Sequence, residues 1–181
     1  MTDPTAGSRA DADSRADADS TAGAEAVTAS GMAPVPDRVE REIYVPAPPD
    51  RVWRVLTAVE HIRSWYAFGG AEVELRPGGA LRFRWDEHGE FHGVVDAVEP
   101  LRRLSFRLAL SPDVPPAKGG FTEVAFTLSA EDEGTRVRLA ESGIGALDAS
   151  AAQRARHAEY AGMAWAAALE ELGAIAAASH A

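Results

Sequence analysis

Cysteine is missing altogether from this chain of 181 residues, which excludes disulfides, thiolate metal sites and cysteine nucleophiles. Basic residues are in deficit: 18 Lys and Arg stand against 28 Asp and Glu, and no basic run offsets the net charge of −10. Nucleic acid is therefore not an expected partner. Residues 1–37 lack aromatics and almost all large aliphatics. They carry "SRADAD" twice in tandem, at 8–13 and 14–19, with seven acids against two bases. A segment that cannot bury apolar surface cannot offset the entropy of ordering, so 1–37 reads as a disordered, acidic, low-complexity tail. No signal-peptide-like apolar stretch opens the chain and no segment has the length of a membrane span. The expectation is a cytoplasmic protein without stable membrane insertion.

What is present is a chain that is 46% hydrophobic, enough for one core within residues 38–178. "RVEREIYVPA" alternates, with Val39, Ile43 and Val45 on one side, and predicts a strand. "PPDRVWRVLTAVEHIRSWY" changes to helical spacing. Pro49 and Asp50 are helix-start residues, which places one helix near 50–57 and a further turn or two up to Trp65. From Glu72 the period becomes two, cut by turns at Pro77-Gly78-Gly79, Glu87-His88-Gly89 and Pro100. Leu81, Phe83 and Trp85 share a face, and so do Leu104, Phe106, Leu108 and Leu110. Val94, Val95 and Val98 do not, which predicts a bulge. Residues 111–120 form a Pro/Gly loop that either covers a cavity mouth or simply connects. A hairpin turning at "EDEGT" follows. The last thirty residues put Ala158, Ala161, Trp165, Leu169, Leu172 and Ala176 on one stripe, a helix of about seven turns that must bury that stripe against the sheet.

One residue breaks the pattern. In "GTRVRLAESGIG", Thr135, Val137, Leu139 and Glu141 fall on the same face, so a carboxylate sits in an apolar row. Deep in a cavity such a group has a raised pKa and acts as acid or base. At a strand end, which Ser142-Gly143 marks, it is a rim residue or a hydrogen-bond partner.

The ordered series "VPAPPDRVWRVLTAVEHIRSWY", "RPGGALRF", "GVVDAVEPLRRLSF", "FTEVAFTL", "EGTRVRLAESG" and "GMAWAAALEELGAI" resembles a known family. It is similar to the activator-of-Hsp90-ATPase-homologue-like (AHSA1-like) branch of the START/SRPBCC helix-grip superfamily, over about residues 38 to 178. One position departs: Ala164 stands directly before Trp165, where relatives often have Gly, and Gly162 lies earlier. The resemblance implies an α+β helix-grip (START/Bet v 1-like) fold, a curved antiparallel sheet wrapped around a long C-terminal helix with a cavity between. It does not imply one activity, because relatives include lipid and hormone carriers, cyclases and a co-chaperone.

The expected ligand-binding residues are the aromatics Trp65, Phe68, Phe83, Trp85, Phe91, Phe106 and Phe126 as walls, with Glu141 and His92 orienting a polar end. His88 and His92 lack a third ligand, so no metal is assigned. No helix start follows Gly78-Gly79 to cradle a phosphate, and Ser142-Gly143 is not a nucleophile elbow; no catalytic residue and no cofactor is assigned. The function expected is non-catalytic binding of a small hydrophobic or amphipathic molecule, or a lipid, in an internal cavity. A cyclase- or hydrolase-like enzyme in the same cavity is the alternative, and it needs a second polar group beside Glu141. An Hsp90 co-chaperone is the third reading. The resemblance argues against it, because the eukaryotic activator carries an additional N-terminal domain where this chain has only the tail.

Overall fold

The computed structural model describes residues 33–178, so the reading of residues 1–32 as a disordered tail lies outside the described residues. Val35 is half-buried and packs against the core, and Asp37 accepts a hydrogen bond from the Gly145 amide at 2.7 Å. Strand β1, Arg38–Val45, follows. Its inner row is Val39, Arg41, Ile43 and Val45. The arginine in that row is accounted for by its Nε, which donates to the Gly162 carbonyl at 3.0 Å.

Helices α1, Pro49–Thr57, and α2, Val59–Trp65, come next. Pro49 sits in the first turn of α1, where its missing N–H costs nothing, and Asp50 favours the positive end of the helix. Strands β2 Gly70–Val73, β3 Ala80–Trp85, β4 Gly89–Glu99, β5 Arg103–Ala109, β6 Phe121–Glu131 and β7 Gly134–Ser142 complete one antiparallel sheet in the order β1-β7-β6-β5-β4-β3-β2. The β4–β5 register shifts between Val95 and Ala97. That bulge lets Val95 and Val98 both pack inward, while Asp96 points out to Arg107 at 3.0 Å.

Helix α3, Ala151–Ala178, opens with a reciprocal cap. Gln153 N donates to Ser150 Oγ and Ser150 N donates to Gln153 Oε1, at 3.2 and 2.8 Å. Its stripe Ala158, Ala161, Trp165, Leu169, Leu172 and Ala176 is buried throughout. On its sheet side Gly173 packs closely: a Cβ there would stand 2.9 Å from Ile43 Cδ1, so that side chain would have to shift. No helix among the described residues is long and apolar enough to cross a membrane.

Candidate functional site

The inner row of β7 carries the odd carboxylate inward: Thr135, Val137 and Leu139 are at most 1% exposed and Glu141 is 4% exposed. Glu141 is therefore no rim residue. Three donors meet it. Thr122 Oγ1, from the inner row of β6, reaches Oε1 at 2.8 Å. His157 Nε2 reaches the same oxygen at 2.6 Å, and Trp165 Nε1 reaches Oε2 at 2.6 Å, both from α3. Burial pushes the carboxyl pKa up. The hydrogen bonds from His157 and Trp165, the His157 charge and the Thr122 hydroxyl outweigh it, and the group stands below the ordinary glutamate range. This corrects the expectation that depth raises its pKa: the donors decide the sign.

Beside this cluster stands an aromatic one, centred on Tyr66. Its ring stacks on Trp165 at 4.8 Å and meets Trp85 and Phe83 edge-on at 5.0 and 5.3 Å. The polar handles of the neighbouring indoles are tied to backbone: Trp65 Nε1 donates to the Val55 carbonyl at 2.9 Å, Trp85 Nε1 to that of Tyr66 at 2.8 Å. These bonds fix the ring orientations. Burial, then the proximity of Glu141 and Tyr160, pushes the Tyr66 phenol pKa above its ordinary range, so it stays protonated.

The inner face of the sheet borders two spaces, one under α1 and α2 and one under α3. The first is filled: Phe83, Phe106 and Phe126, with Leu56, Leu81 and Leu104, surround a void of about 20 Å³, room for a single water. On the side of Glu141 a cleft of about 910 Å³ opens, lined by Trp65, Tyr66, Trp85, Phe91, His157 and Glu141 among others. Two large apolar side chains stand at its mouth, Phe68 and Tyr160, each 62% exposed.

The sequence-derived set thus separates. Trp65, Phe68, Trp85, Phe91 and Glu141 come together on the cleft. Phe83, Phe106 and Phe126 are at most 4% exposed and form the layer beneath it. His92 is not brought to the site. It pairs with Arg82 across β3 and β4 and lies 3.3 Å from Glu90, on the sheet face opposite Phe91. No residue of the 111–120 loop lines the cleft. Sequence reasoning did not single out His157, Tyr66 or Thr122. For His157 a signal exists: it lies four and eight residues before Ala161 and Trp165, in phase with the buried stripe.

A family model described as activator of Hsp90 ATPase homolog 1-like protein matches residues 46–177. No curated protein matches the chain. Among solved structures, protein MLL2253 from Mesorhizobium loti is 26% identical with a TM-score of 0.64, over 76% of this chain and 95% of that one. CalU16 from Micromonospora echinospora is 25% identical with a TM-score of 0.59, over 78% and 77%. The Aha1 dimer from Colwellia psychrerythraea has a TM-score of 0.61 at 18% identity, over 80% and 98%, a likeness that carries the fold alone.

Proposed function

The chain belongs to the activator of Hsp90 ATPase homologue 1-like family, and from that premise we propose that it binds a small apolar or amphipathic molecule in the cleft between α3 and the inner face of the sheet. The observation that carries this reading is the cleft of about 910 Å³, set against an otherwise filled interior. Ligand sites are concave, apolar, and equipped with a few fixed polar groups. Trp65, Trp85 and Phe91 supply apolar wall, and Phe68 and Tyr160 supply apolar surface where a ligand enters. Phe83, Phe106 and Phe126 act from behind, as packing that keeps the wall in place. The polar end of the ligand meets His157, held by Glu141.

Native mass spectrometry of the freshly purified protein tests the reading. A retained small molecule that leaves on unfolding is the expected result, and it also identifies the ligand. Ala164 lines the cleft, so Ala164→Trp obstructs part of it and weakens both the retention of the adduct and the binding of naphthol, read as quenching of tryptophan fluorescence. A protein that carries no adduct and shows no naphthol quenching overturns the proposal.

A further inference from the structure

The hydrogen bonding of Glu141 separates two roles that a buried carboxylate could have. Both its oxygens accept from protein donors, Oε1 from Thr122 and His157 and Oε2 from Trp165. It is held ionised and its lone pairs face those donors, so it is neither a proton donor nor the group that meets a ligand. Its charge is directed at His157. An ionised carboxylate only accepts, so His157 Nε2 carries the hydrogen between them, and in the neutral ring the lone pair belongs to Nδ1. Among the described residues neither Nδ1 nor the Tyr66 hydroxyl has a hydrogen-bond partner, and both side chains line the cleft. The result is an oriented base, a carboxylate that fixes its ring, and a phenol that stays protonated, all beside an aromatic wall.

The other charges of the cleft narrow the substrate. Asp86, Glu87 and Glu171 line it, and no Lys or Arg does among the described residues. A ligand that is already an anion is repelled there. A neutral one with a proton to lose is not.

We infer that the cleft catalyses proton transfer on a neutral, apolar carbonyl compound with an acidified C–H bond, with His157 as the base and Glu141 as its positioning residue. The inference goes beyond binding and rests on the cleft admitting such a molecule. In the step, the C–H bond breaks and its proton goes to His157 Nδ1. The electron pair moves into an enolate, whose oxygen accepts the Tyr66 O–H hydrogen bond. In a substrate with a β,γ double bond the pair is shared with the γ carbon, and the imidazolium returns the proton there as the double bond moves into conjugation. The reaction is thus an isomerisation and consumes no co-reactant.

Nitrobenzisoxazole is the probe. A base removes its ring C–H proton while the N–O bond breaks and a nitrile forms, releasing a coloured cyano-nitrophenolate without any other reagent. The wild-type protein shows saturable turnover, and His157→Ala lowers kcat by about a hundredfold, the scale of a lost general base. Free imidazole restores part of that rate. Glu141→Gln lowers kcat about tenfold with KM nearly unchanged, a split that a purely structural role does not produce. His157→Gln serves if the alanine variant does not fold, with circular dichroism as the check. Equal rates for wild type and folded His157 variants, with tryptophan quenching showing that the probe binds, overturn the inference and leave the binding proposal standing. Failure of the probe to bind overturns the inference and counts against the binding proposal too.

Discussion

Glu141 Oε1 and His157 Nε2 lie 2.6 Å apart, one on the last strand and the other on the terminal helix. The contact joins sheet to helix at the edge of the cleft, and Trp165 adds a second tie from the same helix to Oε2. A buried polar group in an apolar layer is tolerable only when all its partners are present.

Removing the acceptor therefore costs more than the bonds themselves. Glu141→Ala leaves the Thr122 hydroxyl, the Trp165 indole and His157 without their shared partner, and urea unfolding is expected to show a loss of about 3 kcal/mol. Glu141→Gln keeps the shape and one acceptor oxygen and is expected to cost about 1–2 kcal/mol. An alanine variant as stable as the wild type shows that the network holds nothing.

The pH dependence follows from the direction of the shift. The folded-state pKa of Glu141 lies below the ordinary value of about 4.5, so the folded protein prefers the ionised form. Its contribution is fully present above that pH and is lost as pH falls through the folded pKa. The stability gap between wild type and Glu141→Gln is expected to shrink as pH falls below about 4.5. Exposed carboxylates are common to both proteins and cancel in the difference. A gap that does not shrink below about pH 4.5 shows that the folded protein does not prefer ionised Glu141.

Two phenylalanines separate packing from binding. Phe106 is 3% exposed and lies against Phe83 and Phe126, at centroid distances of 5.9 and 6.5 Å. Phe106→Ala is expected to cost about 3–4 kcal/mol in thermal or urea unfolding. Phe68 is 62% exposed, so Phe68→Ala changes stability by less than about 0.5 kcal/mol. The same change is expected to weaken naphthol binding by about 1 kcal/mol, measured by fluorescence titration.

The turn before β3 contains two glycines with different requirements. Gly78 has φ of +79° and open space around its missing side chain, so Gly78→Ala costs only the left-handed backbone penalty, about 1 kcal/mol. At Gly79 a Cβ would collide with the Glu74 carbonyl oxygen and stand 2.8 Å from that of Arg76. Gly79→Ala is expected to cost about 3 kcal/mol or more, because backbone has to move. Equal melting temperatures for the two variants contradict this.

Much of the fold is legible because its signals are local. Alternation gave the strands, the mismatch of Val94, Val95 and Val98 gave the bulge in β4, and the stripe from Ala158 to Ala176 gave the buried face of α3. The misplacement of His92 was also open to local correction. Neighbours in a strand face opposite sides, so Phe91 and His92 cannot both line one cleft.

The sequence alone determined which rows are apolar, and hence that Glu141 points into the layer between sheet and helix, because side-chain direction depends only on the period of the backbone. It could not determine what meets Glu141 there, since His157, Trp165 and Thr122 reach it only once β6, β7 and α3 are packed together. The tertiary structure decided that the buried acid is held ionised, because a pKa is set by the groups that surround a charge in space. It also decided which aromatics fill the interior and which face the cleft. The aromatic residues are alike in sequence, and only the packing of α1 and α2 over one part of the sheet and of α3 over another separates a void of about 20 Å³ from an opening of about 910 Å³.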